Sequence, residues 1–91
     1  MSAYPFKLGK AEGRRRLELL EALEGSLGPV TMDEMGDRPT QEDLRWLWRN
    51  ELVEVVGARP LKYAVTEYGK TIIQRAPEAR AKQQQKEALA S

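Results

Sequence analysis

Cysteine and histidine are both absent from the 91 residues. Without cysteine there is no disulfide framework and no thiolate nucleophile, and without histidine the commonest general base and metal ligand is missing. Most familiar catalytic sets are thereby excluded. The adjacent carboxylates that remain, Asp33 with Glu34 and Glu42 with Asp43, would point about 100° apart on a helix, and capping of helix starts accounts for them. No glycine-rich phosphate loop and no nucleophile paired with a base is present. The expectation is a protein that is not an enzyme and that uses no cofactor and no metal. Long apolar runs are missing too: the first ten residues lack the core of a signal peptide, and no stretch approaches membrane-spanning length. A cytoplasmic protein with no membrane partner is the expected setting.

What is present is material for one small domain. Hydrophobic residues make up 41% of the chain and charged residues 32%, which is enough apolar mass for a modest core and argues against disorder throughout. The net charge of +1 hides a segregation. Residues 1–20 sum to +3, residues 21–54 to −6, residues 55–76 to +3 and residues 77–91 to +1. An acidic middle lies between two basic flanks.

Leu17, Leu20, Leu23 and Leu27 recur at helical spacing and predict a core-facing helix over residues 11–25, stopped by a Gly25-Ser26-Leu27-Gly28-Pro29 cluster. A one- or two-turn element follows, in which Thr31 and Glu34 have capping-box spacing and Met32 and Met35 are the apolar residues before Gly36. A third helix is expected over residues 41–50. Pro39 keeps Arg38 out of helical geometry, Thr40 can cap, and Asn50 tolerates the left-handed conformation that would end it. On that helix Leu44, Leu47 and Trp48 are expected inward, while Glu42, Arg45, Trp46 and Arg49 face out. Residues 52–56 and 61–65 read as the strands of a hairpin around the turn at 57–60, and Thr66 caps a final helix covering the core with Tyr68, Ile72, Ile73 and Ala76. Tyr63 and Tyr68 are expected to pack and not to stack on bases. The expected organisation is an N-terminal arm at 1–10, a folded domain at 11–76 and a polar tail at 77–91, either a frayed helix or disordered, which favours helix by composition and whose only large apolar residue is Leu89.

The run Leu44-x-x-Leu47-x-x-x-Glu51-Leu52-Val53, followed by Lys62-Tyr63-Ala64-Val65-Thr66-Glu67-Tyr68-Gly69-Lys70, resembles winged helix-turn-helix transcriptional regulators of the PadR and MarR type over about residues 12–76. In those families a leucine-rich recognition helix ends in Gly-Leu-Val, and the wing returns through an aromatic-x-Leu-Thr-x-x-Gly-Lys/Arg segment. Here Glu51 stands in place of the glycine, and the stretch at 35–40 is several residues shorter than the family's second helix and turn.

The resemblance implies an α+β, mainly helical fold: three helices, a two-stranded hairpin wing and a C-terminal helix. It implies a small transcriptional regulator that binds double-stranded DNA and sits with the nucleoid. The third helix would enter the major groove with Gln41, Arg45 and Arg49, while Arg59 and Lys62 on the wing and Arg14, Arg15 and Arg16 on the first helix would meet phosphates. Glu42 shares the outward face with Arg45 and Arg49 and would repel phosphates unless it accepts from a cytosine amino group. The alternative is a protein-interaction module that uses no DNA and anchors its partner at Trp46. Regulators of this type commonly pair, and a homodimer would call for half-sites about 34 to 36 Å apart or a multiple of that. The tail lacks heptads, so monomer and dimer both stay open.

Overall fold

The computed structural model describes residues 4–26, 28–31, 41–59 and 61–90. Their elements run α1 (Ala11–Glu24), β1 (Val30–Thr31), α2 (Gln41–Arg49), β2 (Val53–Ala58), β3 (Leu61–Val65), α3 (Glu67–Gln74) and α4 (Ala76–Ala90). The result is a mainly helical α+β fold around one apolar core.

Helix α1 follows its leucine period. Leu17, Leu20 and Leu23 are buried along one side, and Gly13 and Arg16 carry that side toward the N-terminus. Gly13 is buried because the chain at residues 4–10 doubles back over it. Lys10 N–H donates to the Lys7 carbonyl at 3.1 Å, and a Cβ on Gly13 would run into that same carbonyl. Residues 4–10, set apart as an arm by sequence, contribute Phe6 and Leu8 to the core. The Tyr4 hydroxyl donates to the Ile72 carbonyl at 3.0 Å, tying the arm to α3. Burial raises the Tyr4 phenol above its ordinary pKa.

The sheet is antiparallel with strand order β1-β3-β2. The hairpin β2–β3 lies where the alternating pattern places it. Strand β1 has no such pattern: two residues pair Val30 with Tyr63 and Thr31 with Lys62, so pairing with β3 and burial make it a strand. Thr31, read as a helix cap, lies in β1. The rest of the short element expected at 31–36 falls outside the described residues, as do Pro39 and Thr40. Between Val55 and Gly57 the register slips by one, leaving Val56 as a bulge in β2.

Helix α2 buries Leu44 and Leu47. Its C-terminus closes in a Schellman arrangement: Leu52 N–H donates to the Leu47 carbonyl and Glu51 N–H to the Trp48 carbonyl, each at 3.0 Å. Leu47 and Leu52, both fully buried, supply the apolar contact that accompanies this motif. The left-handed residue is Glu51, with φ of 61°, and not Asn50. Asn50 instead donates its side-chain Nδ2 to the Trp46 carbonyl at 2.8 Å. A left-handed conformation costs a residue with a Cβ about 1 to 2 kcal/mol, part of which glycine returns as unfolded-chain entropy. Glu51→Gly is therefore expected to raise stability by about 1 kcal/mol, measured as an upward shift of the urea midpoint at unchanged m-value. An unchanged or lower midpoint would show that the Glu51 side chain compensates for its backbone.

Thr66 starts α3 as predicted: its Oγ1 accepts from Gly69 N–H at 3.0 Å and its hydroxyl donates to the Glu51 carbonyl at 2.6 Å. The end of α2, the end of the hairpin and the start of α3 are thus fastened at one hydroxyl. Ile72 and Ala76 enter the core, Ile73 packs partly against it and Tyr68 remains exposed. The segment expected as a polar tail is helix α4, held to α1 by the Arg80–Glu21 ion pair and largely solvated beyond it.

Candidate functional site

The predicted cations fall into two sets. Arg14 donates Nη1 to the Leu8 carbonyl at 2.9 Å and so clips the arm to α1. Arg15 forms a fork on Asp43, Nε to Oδ2 at 2.9 Å and Nη2 to Oδ1 at 3.0 Å. Arg16 donates Nε to the same Oδ1 at 3.0 Å, pairs with Glu12 at 2.6 Å and lies 4.9 Å over the Trp46 ring. The hydrogen bonds and charge of Asp43 hold the Arg15 guanidinium above its usual pKa. The run Arg14-Arg15-Arg16 is thereby committed to acceptors within the chain, with the Arg16 side chain only 9% exposed.

The second set lies on the far side of α2 and on the hairpin. Gln41, Arg45 and Arg49 are exposed on α2, Arg59 is exposed at the hairpin turn and Lys62 is exposed on β3. Among the described residues none of these four cations forms an ion pair; Lys7, Lys10 and Lys86 are likewise unpaired, in the arm and α4. Between α2 and the hairpin runs an open groove of about 370 Å³. The helix wall carries Gln41, Arg45, Trp48 and Arg49, and the hairpin wall carries Val55, Leu61 and Tyr63. Lys62 lies between Leu61 and Tyr63 and, by strand alternation, faces the opposite side of the ribbon.

The two tryptophans exchange the roles expected of them. Trp46 is partly buried, 5.3 Å from the Phe6 ring and under the Arg16 guanidinium, whereas Trp48 is 54% exposed in the groove. Asp43 is 1% exposed, so the buried arc of α2 runs from Asp43 through Leu47 to Leu44 and both tryptophans flank it. With Leu44 at zero, Leu47 lies at about 300° and Asp43 at about 260°, which leaves Trp48 about 90° and Trp46 about 110° from the centre of the arc; what separates the two is that Phe6 and Arg16 cover Trp46. The bidentate demand of Arg15 and the depth of Arg16 carry no sequence signature beyond three consecutive arginines. Asp43 was accordingly legible only as a favourable charge near a helix start.

With the geometry in hand, family descent adds nothing to it. The chain matches no protein-family model, no curated protein and no solved structure. Among the described residues no helix is long and apolar enough to cross a membrane. The arrangement presents hydrogen-bond donors and positive charge from Gln41, Arg45 and Arg49 along α2, with Glu42 exposed on the same helix, and from Arg59 and Lys62 on the adjoining hairpin.

Proposed function

We propose that this domain is a winged helix that binds double-stranded DNA, with α2 in the major groove and the β2–β3 hairpin as the wing, in the manner of the PadR- and MarR-type regulators it resembles. The observation that carries the reading is the division of the cations. Those that serve the fold are bound to Asp43, Glu12, Glu21 or a backbone carbonyl, while Arg45, Arg49, Arg59 and Lys62 on α2 and the hairpin form no ion pair among the described residues. Free lysines and arginines repel one another in the unbound chain, and a bound polyanion relieves that repulsion while phosphate neutralisation and counterion release supply much of the affinity. The sheet order β1-β3-β2 beside α2 is compatible with that architecture. A protein partner docking at Trp46 has weaker support, because that ring is already engaged by Phe6 and Arg16. A cytoplasmic location at the nucleoid follows from the DNA reading.

The test is fluorescence anisotropy of a labelled mixed-sequence duplex at several salt concentrations. Each phosphate contact adds about 0.9 to the negative log–log slope of affinity against salt, so the double variant Arg59→Glu, Lys62→Glu is expected to reduce that slope by about 2. Absence of binding at low salt by a chain with intact circular dichroism would sink the proposal.

A further inference from the structure

Within the cationic stripe of α2 sits one side chain that electrostatics does not explain. Gln41, Arg45, Trp48 and Arg49 occupy positions i, i+4, i+7 and i+8, so they share one face of the helix. Trp48 is the largest exposed apolar side chain among them, 54% exposed, with Val55 and Leu61 also exposed across the groove. The core does not need it: Leu44 and Leu47 already fill the inward side of α2. An indole left in water between two arginines costs hydration free energy in the unbound chain. Burial against a partner returns it. A partner that satisfies the flanking cations must carry negative charge on either side of an apolar group small enough to meet an indole edge.

Double-stranded DNA has one such group in its major groove. The C5-methyl of thymine is the only apolar substituent displayed there, and phosphates flank it on both strands. The stripe from Gln41 to Arg49 rises about 12 Å, and base steps are about 3.4 Å along each strand, so it spans between three and four base pairs. Resting on the DNA-binding reading above, we infer that Trp48 is a specificity-determining residue that packs on a thymine methyl. Arg45 and Arg49 then face the neighbouring guanines or phosphates, and Gln41 reaches the far end of the same half-site. The recognised sequence therefore contains a thymine one or two steps from the positions contacted by the arginines. The requirement is for the methyl and not for the pyrimidine as such.

The experiment separates this inference from the DNA reading. Duplexes bound by the full chain are enriched from a pool with a random centre, and the recovered site is resynthesised with uracil in place of each thymine in turn, which deletes one methyl and keeps the pairing. Wild-type chain is expected to lose about fourfold in affinity at one or two thymines, the worth of one buried methyl-sized group, and nothing at the others. Trp48→Ala, at an exposed position that leaves the core untouched, is expected to bind the thymine and uracil duplexes equally. Trp48→Phe is expected to keep the preference. Indifference of the wild-type chain to uracil at every position, with salt-dependent binding that still requires Arg45 and Arg49, overturns the inference and leaves the DNA reading standing. The same holds if Trp48→Ala retains the preference. If Trp48→Ala matches wild type on every duplex, the indole serves a protein partner instead. Failure of any duplex to bind overturns both.

Discussion

Replacing Asp43 with alanine is expected to cost about 3 kcal/mol of unfolding free energy, in the range found when one member of a buried ion pair is removed. The carboxylate is 1% exposed and accepts from Arg15 and Arg16 together. The two arginines differ in what they can do without it. The Arg15 side chain is 52% exposed and can turn to water, so Arg15→Ala is expected to cost much less than Asp43→Ala. Arg16 cannot turn without displacing Trp46 and the arm above it. It keeps its pair with the half-exposed Glu12, which holds the loss toward the lower end of the range. The pair Asp43→Leu with Arg16→Met is expected to recover at least half the loss, because removing both charges leaves none buried and uncompensated. Urea denaturation of the three variants measures all of these values. A loss below about 1 kcal/mol for Asp43→Ala would mean that the cluster behaves as a surface ion pair.

A single methyl at Gly13 is expected to be nearly as damaging. Alanine normally stabilises a helix relative to glycine by about 1 kcal/mol, but here the added Cβ meets the backbone of Lys7, which is not the far end of a flexible side chain. Relief requires the arm to lift, and lifting it unseats Phe6 and Leu8 from the core and Tyr4 from Ile72. A net destabilisation of about 2 to 3 kcal/mol is expected, as for overpacking at a site that cannot relax. Trp46 fluorescence should move toward that of a solvated indole, since Phe6 covers its ring. Gly25→Ala is the control: a Cβ there meets its nearest atom at an ordinary 3.5 Å, and stability should change by no more than about 0.5 kcal/mol. Equal effects at the two glycines would show that helix propensity, and not arm docking, governs Gly13.

The parts of this fold that a local pattern specifies were legible before any coordinates. The leucine period marks α1 and α2, the β-branched run and turn mark the hairpin, and Thr66 marks the start of α3. What was hidden depends on partners distant in sequence. Strand β1 exists because Val30 and Thr31 meet Tyr63 and Lys62, and two residues cannot show a period. The arm reads as polar-apolar noise until Gly13 supplies a place for Lys7 to cross. The two tryptophans exchanged places because Phe6 and Arg16, both distant in sequence, cover Trp46 and leave Trp48 exposed. Of the site, Gln41, Arg45, Arg49, Arg59 and Lys62 were legible as exposed cations and donors, whereas the commitment of Arg14, Arg15 and Arg16 to the fold was not. Three adjacent arginines look alike in a sequence, and only their acceptors distinguish them.

The bulge at Val56 bears on how molecules of this chain meet one another in concentrated solution. Among the described residues strand β2 lies at the margin of the sheet, so one row of its backbone N–H and C=O groups has no neighbouring strand there, and Val55 and Val56 are exposed beside it. A flat margin of this kind is a template on which a second molecule can lay down a strand and begin a cross-β stack. The extra residue breaks the regular spacing of those groups halfway along and twists the margin out of plane. Neither remaining stretch offers the length of regular ladder that a fibril needs.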